Sequence, residues 1–274
     1  MTEATKGRVI VLTGAAGGLG RVMTTALIDA GHSIAAVDRD GTALVRLLEQ
    51  LKVAPDRLLP MAADVSSEDE CNAAIETAAA HFGRVDSLIN NAGIGMSSIR
   101  PDAETRLPGI EELSPEIWDR FYMVNVRGPI MLTRAALPHM RKAGWGRIVN
   151  NTTSYKTMLR ALPYGAMKSA FESMSAVWAQ QLSGSGITVN VLVPGGPTDT
   201  PFISDGAGWP RDKLLRPEIM AAPIRWLMSD AADGITGRRV TASEWDTALP
   251  DDAAAAGASR AIGWPELVSS QVWW

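Results

Sequence analysis

Short apolar runs recur along the chain, and longer stretches with helical periodicity separate them. The runs that predict strands lie at residues 8–12, 33–37, 57–61, 86–89, 146–151, 186–193 and 237–241. The stretches that predict helices lie at residues 21–30, 41–51, 67–82, 115–139, 164–178 and 217–228. Because the apolar runs are continuous, they are typical of strands buried on both faces of a parallel sheet. Strands separated by helices of this length predict right-handed βαβ crossovers.

These elements predict a doubly wound α/β fold, in which a mostly or wholly parallel sheet of about seven strands carries helices on both faces. No interdomain linker or internal repeat is evident, so residues 1–274 are predicted to form a single domain. Two aperiodic segments, at about residues 94–113 and 198–216, are predicted to be lid loops beside a ligand site. A tryptophan-rich tail occupies about residues 243–274.

A cluster of glycines follows the first predicted strand and precedes the first predicted helix. Gly14, Gly18 and Gly20 lie at this turn, with Leu19 between the last two. Glycines let a backbone approach a pyrophosphate closely, and the N–H groups and dipole of a helix N-terminus favour its negative charge. A glycine cluster alone is a weak signal, but between a strand and a helix it predicts the nucleotide site of a Rossmann fold. The four residues are therefore candidates for cofactor binding.

An acidic residue, Asp38, ends the second predicted strand. A carboxylate about twenty residues beyond the glycines can accept the ribose hydroxyls of an adenosine and repels a 2′-phosphate, which favours NAD over NADP. Arg39 is the opposing feature, since a guanidinium beside the ribose can accommodate that phosphate. The alternative for Asp38 is an ordinary cap of the helix at residues 41–51. The predicted cofactor is therefore NAD, with NADP less favoured.

Small and polar residues follow the third and fourth predicted strands. Asp64 and Val65 are placed to reach an adenine, although Asp64 can equally start the turn into the next helix. Asn91, Ala92 and Gly93 come where the fourth strand ends. Asparagine amides at that place either line a cofactor crevice or tie neighbouring strand ends together. Both roles stay open for these residues.

Tyr164 and Lys168 lie four residues apart in a predicted helix, so their side chains share one face. A free tyrosine has a pKa near ~10, and it exchanges protons poorly at neutral pH unless a nearby cation favours the phenolate. Lys168 is placed to supply that cation. The alternative is a half-exposed helical face without chemistry, so the pair predicts acid/base catalysis only beside a cofactor site.

Composition and charge exclude several classes of partner. The formal net charge is −4 and the basic residues are scattered, so nucleic acid is not expected. The one cysteine, Cys71, has no partner for an internal disulfide and suits a reducing compartment. The three histidines lie far apart, so no metal site is predicted. Neither a signal peptide nor a membrane span is evident, and a cytoplasmic protein without membrane contact is expected.

Four motifs occur in order along the chain. They are Thr13-Gly14-x-x-x-Gly18-x-Gly20, Asn90-Asn91-Ala92-Gly93, Tyr164-x-x-x-Lys168 and Pro194-Gly195. In this set, which spans about residues 7–242, the chain resembles the classical short-chain dehydrogenase/reductase family. The resemblance implies a dinucleotide-binding catalytic domain with a nicotinamide cofactor, a small-molecule alcohol or ketone as substrate, and a homodimer or homotetramer.

The resemblance also implies roles for single residues in hydride transfer between NAD(H) and a carbonyl or secondary alcohol. Tyr164 matches the general acid/base, Lys168 the partner that lowers its pKa, and Asn125 the asparagine that holds a water for proton relay. The residue that supplies a hydroxyl to the substrate oxygen is open. Ser154 is favoured and Thr153 is the alternative, because the loop before Tyr164 is a few residues shorter than the family usually has. Both hydroxyls can instead bond local backbone.

The turn after the sixth predicted strand contains Pro194 and Gly195, followed by Thr198 and Thr200. The resemblance places the nicotinamide amide beside one of these two threonines. All four are therefore candidates for cofactor binding.

The loops and the tail carry further candidates. Arg100, Arg106 and Arg211 lie in the two lid loops and can bind a substrate carboxylate. The tail contains the tryptophans Trp245, Trp264, Trp273 and Trp274. They are expected to pack on the domain or on a partner subunit. The alternative is that they close the active site of a neighbouring subunit.

Two other functions are compatible with the predicted fold. One is a dinucleotide-binding sensor or scaffold that has lost catalysis, which the altered loop before Tyr164 allows. The other is a nucleotide-fold enzyme such as a methyltransferase, which has no use for Tyr164 and Lys168. The retained tyrosine, lysine and asparagine favour an oxidoreductase.

Overall fold

The computed structural model describes residues 7–264 and arranges their strands in an eight-stranded sheet. The strands are β1 (Val9–Thr13), β2 (Ser33–Asp38), β3 (Leu58–Ala62), β4 (Ser87–Asn90), β5 (Gly146–Asn151), β6 (Ile187–Val193), β7 (Arg238–Thr241) and β8 (Ser259–Ala261). Their order across the sheet is β3-β2-β1-β4-β5-β6-β7-β8. Strands β1 to β7 are parallel, and β8 pairs antiparallel with β7. The predicted doubly wound, mostly parallel fold is confirmed.

Helices follow most of the strands. The α-helices of the described residues are α1 (Gly18–Asp29), α2 (Gly41–Leu51), α3 (Glu68–Phe82), α4 (Pro115–Tyr122), α5 (Gly128–Ala143), α6 (Tyr155–Met158), α7 (Tyr164–Gln181), α8 (Ala221–Leu227) and α9 (Asp251–Ala258). A π-helical segment, Met123–Arg127, joins α4 to α5, and a 3₁₀ turn, Pro217–Met220, precedes α8. The long helix predicted at residues 115–139 is therefore two α-helices joined by a π-helical segment.

The core consists of two apolar layers, one on each face of the sheet. Helices α1, α2, α8 and α9 contribute to one layer, and α3, α5 and α7 contribute to the other. Side chains of a strand point alternately to opposite faces. In β1, Ile10 and Leu12 accordingly belong to the first layer and Val11 to the second. Burial on both faces explains why the strands are continuous apolar runs in the sequence.

The direction in which the chain adds strands reverses between β1 and β4, which are neighbours in the sheet. The connections on the two sides of this point leave in opposite directions and open a crevice at the carboxyl ends of the strands. The last residues of each parallel strand therefore lie at this edge of the sheet. No helix within residues 7–264 is long and apolar enough to cross a membrane.

Candidate active site

A cleft of about 1230 Å³ opens along the carboxyl ends of the parallel strands. All the residues predicted to bind the cofactor line it, namely Gly14, Gly18, Leu19, Gly20, Asp38, Arg39, Asp64, Val65, Asn91, Ala92, Gly93, Tyr164, Lys168, Pro194, Gly195, Thr198 and Thr200. The candidate hydroxyl residues Thr153 and Ser154 line the same cleft. Asn125 is fully buried and lies outside the lining.

The glycine turn between β1 and α1 has the shape that a pyrophosphate requires. Gly14 has a φ of 64°, a conformation that side chains with a Cβ adopt rarely. A Cβ on Gly18 would lie 2.4 Å from the side chain of Thr200, and one on Gly20 would lie 1.9 Å from the Gly14 carbonyl oxygen. Helix α1 begins at Gly18 with Gly17 at its N-cap, so no side chain occupies its N-terminal N–H groups. These residues fit the diphosphate of a dinucleotide.

The carboxylate of Asp38 is held by backbone at the end of β2. Its oxygens accept hydrogen bonds from the N–H groups of Ala16 and Asp40, each at 3.1 Å. The alternative that Asp38 caps α2 is wrong, because Asp40 is the N-cap and accepts from Ala43 N–H at 2.9 Å. Asp38 is therefore fixed in the cleft wall between the glycine turn and α2.

The polar residues after β3 and β4 combine structural contacts with a place in the cleft. Asp64 accepts from the Ser66 N–H at 2.8 Å and so starts the turn toward α3. The Asn91 amide donates to the carbonyls of Thr13 and Gly14 at 2.9 and 3.1 Å. These bonds tie the end of β4 to the glycine turn. Asp64 and Asn91 thus make the structural contacts that were the alternative to cofactor binding, and they also line the cleft.

Tyr164 is the first residue of α7, and Lys168 follows it one turn later. The Tyr164 ring packs against Phe202 at a centroid distance of 5.7 Å. Burial raises the pKa of Tyr164 to about 12, while a hydrogen bond with the Thr153 side chain acts in the opposite direction. Burial also lowers the pKa of Lys168 to about 8, and its ammonium donates to the Asn151 carbonyl at 2.9 Å. At neutral pH the site therefore holds a protonated phenol beside a cation.

The two candidate hydroxyls have different partners. Ser154 is the N-cap of the short helix α6, and its Oγ accepts from the Thr157 N–H at 3.2 Å. The same Oγ lies 2.9 Å from Thr157 Oγ1. The Thr153 side chain instead faces the Tyr164 hydroxyl and acts to lower its pKa. A substrate oxygen at Tyr164 would therefore meet the hydroxyl of Thr153.

The side chain of Asn125 is engaged by neighbouring backbone. Its Nδ2 donates to the carbonyls of Ile94 and Phe121 at 3.2 and 3.1 Å, and its Oδ1 accepts from the Ile94 N–H at 3.3 Å. A Cβ on Gly93 would lie 2.8 Å from Asn125 Oδ1 and 3.6 Å from Lys168 Nζ. Asn125 and Lys168 thus both lie close to the Cα of Gly93, on the side where a Cβ would project.

The backbone carbonyl of Asn125 has a separate property. In a regular α-helix it would accept from the N–H of residue 129, but that residue is Pro129, which has no N–H. The surrounding Met123–Arg127 segment is π-helical, a geometry that often marks functional sites. The helix predicted at residues 115–139 does not show this consequence, although Pro129 is a visible signal of it in the sequence.

The turn after β6 packs closely on the end of β7. Gly195 has a φ of 99°, and a Cβ there would lie 1.9 Å from Ser243 Oγ. Thr198 is buried, and its hydroxyl donates to the Gly196 carbonyl at 3.1 Å. Thr200 is buried against Gly18. This turn therefore lines the cleft wall next to the glycine turn of β1.

The two lid loops touch each other over Tyr164. The Ser204 N–H donates to Ser97 Oγ at 3.0 Å, and Ser97 Oγ donates to the Phe202 carbonyl at 3.2 Å. The Phe202 ring lies against Gly95, where a Cβ would be 2.3 Å from the ring. Phe202 thus connects the second lid to the first and also contacts Tyr164. Sequence patterns place it only in an aperiodic loop.

Charged side chains at the substrate end differ from those predicted. Arg100, Arg106 and Arg211 pair with carboxylates of their own loops, so the prediction that they bind a substrate is not supported by their contacts. The charged residues that line the cleft there are Glu104, Arg120, Lys156 and Arg160, the last two on and just after α6. Its apolar wall there includes Met96, Leu107, Ala161, Phe202, Ile203 and Trp209.

A family model for short chain dehydrogenases matches residues 8–206. The chain belongs to the short-chain dehydrogenase/reductase family. The family resemblance inferred from the sequence is confirmed, and the chain is an enzyme of this oxidoreductase family. Members of the family bind a nicotinamide dinucleotide, and the glycine turn and Asp38 described above fit that group.

Two relatives extend the match over most of this short-chain dehydrogenase/reductase. The cis-4-hydroxycyclohexanecarboxylate dehydrogenase of Sinomonas cyclohexanicum is 34% identical over 252 residues, which cover 86% of this chain and 95% of that protein. The 3-oxoacyl-acyl-carrier-protein reductase FabG of Thermotoga maritima is 29% identical over 246 residues, with 85% and 95% covered.

Solved structures agree with the fold. A 3-ketoacyl-acyl-carrier-protein reductase of Brucella melitensis, complexed with NADH, superposes with a TM-score of 0.72 at 32% identity and covers 85% of this chain and 95% of its own. Levodione reductase superposes with a TM-score of 0.72 at 26% identity, covering 84% and 93%. The NADH in the first structure belongs to that protein.

Two tryptophans of the tail make contacts in the described part of this short-chain dehydrogenase/reductase. Trp245 packs against Trp226 at a centroid distance of 5.9 Å, and Trp264 against Tyr155 at 5.8 Å. Both contacts lie within the chain itself, which agrees with the expectation that these tryptophans pack on the domain. Trp273 and Trp274 lie outside the described residues.

Proposed function

We propose that the protein transfers a hydride between NAD(H) and a carbonyl or secondary alcohol of a small molecule. The observation that carries this proposal is the meeting of the Thr153 hydroxyl, the Tyr164 phenol and the Lys168 ammonium in a cleft whose other end carries the glycine turn. A nicotinamide, when bound, supplies or accepts the hydride at the substrate carbon. The protein positions the substrate oxygen and manages its proton.

In the direction of reduction, the substrate carbonyl oxygen accepts hydrogen bonds from Tyr164 and Thr153. As the carbon gains a hydride, the oxygen takes the Tyr164 proton, which yields the alcohol. The raised pKa of Tyr164 keeps the phenol protonated at neutral pH, so it is ready to donate. The Lys168 ammonium stabilises the phenolate that remains, because an opposite charge nearby favours the charged form. Oxidation of the alcohol follows the same steps in reverse.

Proton exchange with solvent is assigned to Lys168 and the backbone of Asn125. The Asn125 carbonyl, which Pro129 leaves without its regular helical donor, is a suitable acceptor for a water between it and Lys168. The amide side chain of Asn125 is occupied by Ile94 and Phe121 and fixes this carbonyl in place. Asn125 thus acts as a positioning residue for the relay.

The predicted cofactor preference is NAD, and titration with both dinucleotides tests it. We expect NADH to bind about 10- to 100-fold more tightly than NADPH, because the Asp38 carboxylate repels a 2′-phosphate at close range. Asp38→Asn removes the charge but keeps an acceptor for the Ala16 and Asp40 N–H groups. The preference should fall by about tenfold in this variant.

Asp56→Asn is the matched control, since Asp56 is exposed and outside the cleft. Its dinucleotide preference should equal that of the wild type. Tighter binding of NADPH than NADH by the wild type would show that Arg39 outweighs Asp38 and would reverse the assignment.

A substrate panel read by NADH absorbance tests the reaction itself. Cyclic and linear ketones are offered as free carboxylates and as their methyl esters, because the apolar wall of the cleft suits an alicyclic or aliphatic body and Lys156 and Arg160 suit an acidic group. Oxidation of NADH with stoichiometric formation of the alcohol supports the proposal. Binding of NADH without turnover of any ketone or alcohol would instead support the sensor or scaffold alternative.

A further inference from the structure

A buried ion pair lies directly behind the segment that carries Thr153. Glu172 stands two turns after Tyr164 and one turn after Lys168 on the same face of α7. Its side chain is 0% exposed, and its Oε2 lies 2.6 Å from Nη1 of Arg239 on β7, whose side chain is 5% exposed. Glu172 Oε2 also accepts from Thr152 Oγ1 at 2.7 Å. This fully buried ion pair therefore contacts Thr152, the residue that precedes Thr153.

The guanidinium of Arg239 also binds the backbone of Thr153. Its Nη2 donates to the Thr153 carbonyl at 2.6 Å, and its Nη1 also donates to Thr152 Oγ1 at 3.3 Å. The face of the same group covers the Tyr155 ring, with Cζ 4.2 Å from the ring centroid. Arg239 therefore touches the residues before and after Ser154 and uses the fork geometry that distinguishes arginine from lysine.

The chain that follows β8 completes this enclosure. The Gly263 N–H donates to Glu172 Oε1 at 3.4 Å, and its carbonyl accepts from the Tyr155 hydroxyl at 2.7 Å. Trp264 also packs against Tyr155. The tail thereby excludes solvent from the Glu172 and Arg239 pair and connects it to α6.

Stability alone is a weak reason for such a pair, because well-packed apolar side chains of the same volume often stabilise a fold as well or better. Position is a stronger reason. Strand β5 ends at Asn151, so Thr152 and Thr153 have left the ladder of the sheet. The Thr153 carbonyl is instead held by Arg239, while its side chain lines the cleft with Tyr164.

We propose that Glu172 and Arg239 are positioning residues that set the Thr153 hydroxyl against Tyr164. Arg239 fixes the Thr153 backbone, and Glu172 fixes the orientation of Arg239 from the catalytic face of α7. Neither residue lines the cleft. This inference rests on the proposed function, because it assigns Arg239 an effect on turnover through Thr153.

Arg239→Lys tests the proposal, because lysine keeps the charge opposite Glu172 but cannot hold Glu172 and the Thr153 carbonyl at once. The turnover number should fall by about 10- to 100-fold, since a small displacement of a catalytic group has an effect of that size. The dissociation constant of NADH should change little. Arg238→Lys is the matched control, since Arg238 is the preceding residue of β7 and donates to the carbonyl of Ser259, the first residue of β8. Its turnover should stay within about twofold of the wild type.

A double-mutant cycle with Thr153→Ala separates positioning from general damage. In the Thr153→Ala background, Arg239→Lys should lower turnover by less than about twofold, because the group that it positions is gone. Thr153→Ser should retain most of the turnover and all of the sensitivity to Arg239→Lys. An equal loss in both backgrounds, or a turnover of Arg239→Lys equal to that of Arg238→Lys, would overturn the proposal.

Two further measurements keep the outcomes distinct. If Arg239→Lys fails to fold, Glu172→Gln takes its place in the same cycle, since it keeps the shape of the side chain and one acceptor. Its effect on turnover should likewise vanish in the Thr153→Ala background, and an undiminished effect would contradict the proposal. If Thr153→Ala retains full turnover on an accepted ketone, the role of Thr153 in the proposed function fails, and this inference fails with it. Loss in Thr153→Ala without coupling to Arg239 leaves the proposed function standing and removes this inference alone.

Discussion

Replacement of Tyr164 by phenylalanine is expected to abolish turnover and to leave NADH binding nearly unchanged. The substitution removes a single oxygen, and the ring keeps its contact with Phe202 and its place at the start of α7. General acid/base catalysis contributes about 10²- to 10⁴-fold, so the turnover number should fall by about 10³-fold or more once the hydrogen bond to the substrate oxygen is also lost. Steady-state kinetics on the best ketone of the panel and fluorescence titration with NADH measure the two quantities.

Tyr122→Phe is the matched control for this variant. Tyr122 is one of three tyrosines, and it is 44% exposed at the end of α4. Loss of its hydroxyl should leave turnover and NADH binding within about twofold of the wild type. Substantial residual turnover of Tyr164→Phe on an accepted substrate would contradict the assignment of the acid/base. A parallel loss of NADH binding would mean that the hydroxyl supports the cofactor site.

The parallel core of the fold could be predicted from sequence because its strands are buried on both faces. Such strands must be continuously apolar, as at Val9–Thr13 and Ile187–Val193, and the helices between them reveal the crossovers. Strand β8 could not be predicted in this way. It is three residues long, it pairs at the edge of the sheet, and Arg260 interrupts its apolar character. Its presence accounts for the difference between about seven predicted strands and eight.

The candidate site could be predicted where one residue type is needed for a local geometric reason. Gly14 adopts a positive φ, Gly18 lets the Thr200 side chain approach, and Gly20 lets the Gly14 carbonyl approach, so their pattern is visible in the sequence. Tyr164 and Lys168 need only helical spacing. The choice between Ser154 and Thr153 was different, because it depends on α6, a helix of four residues that periodicity does not indicate. Once α6 begins at Tyr155, Ser154 serves as its N-cap and Thr153 faces Tyr164.

The contact between Arg239 and Glu172 could not be predicted from local sequence patterns. An arginine inside a predicted buried strand is a visible signal that a partner must exist, because a charge is rarely buried without one. The partner, Glu172, lies 67 residues earlier in the chain and is brought near by the packing of α7 against the sheet. Contacts between distant segments of this kind depend on the tertiary fold, and a single sequence with local patterns does not identify them. The meeting of the two lid loops at Ser97 and Ser204 has the same origin.

Lys168→Met should also eliminate most turnover, and it should change the pH dependence of stability in a specific direction. Burial lowers the pKa of Lys168 from 10.5 to about 8 in the folded protein. The unfolded chain therefore binds more protons between these two values, so the free energy of unfolding rises with pH through this window. Below pH 8, burial of the charged lysine costs the folded state about 3 kcal/mol, since one unit of pKa corresponds to about 1.4 kcal/mol. The wild type recovers this energy as Lys168 loses its proton.

The methionine side chain does not titrate, so the unfolding free energy of Lys168→Met should not show this rise with pH. The difference in unfolding free energy between the variant and the wild type should shift by about 2 to 3 kcal/mol in favour of the wild type between pH 7 and pH 10. Urea unfolding at both pH values measures it. Lys142→Met is the control, because Lys142 is exposed near the end of α5, and its difference from the wild type should stay constant within about 0.5 kcal/mol. A constant difference for Lys168→Met would show that burial does not destabilise the charged form of Lys168. The positive charge that the proposed mechanism needs beside Tyr164 would then have no cost in folding free energy.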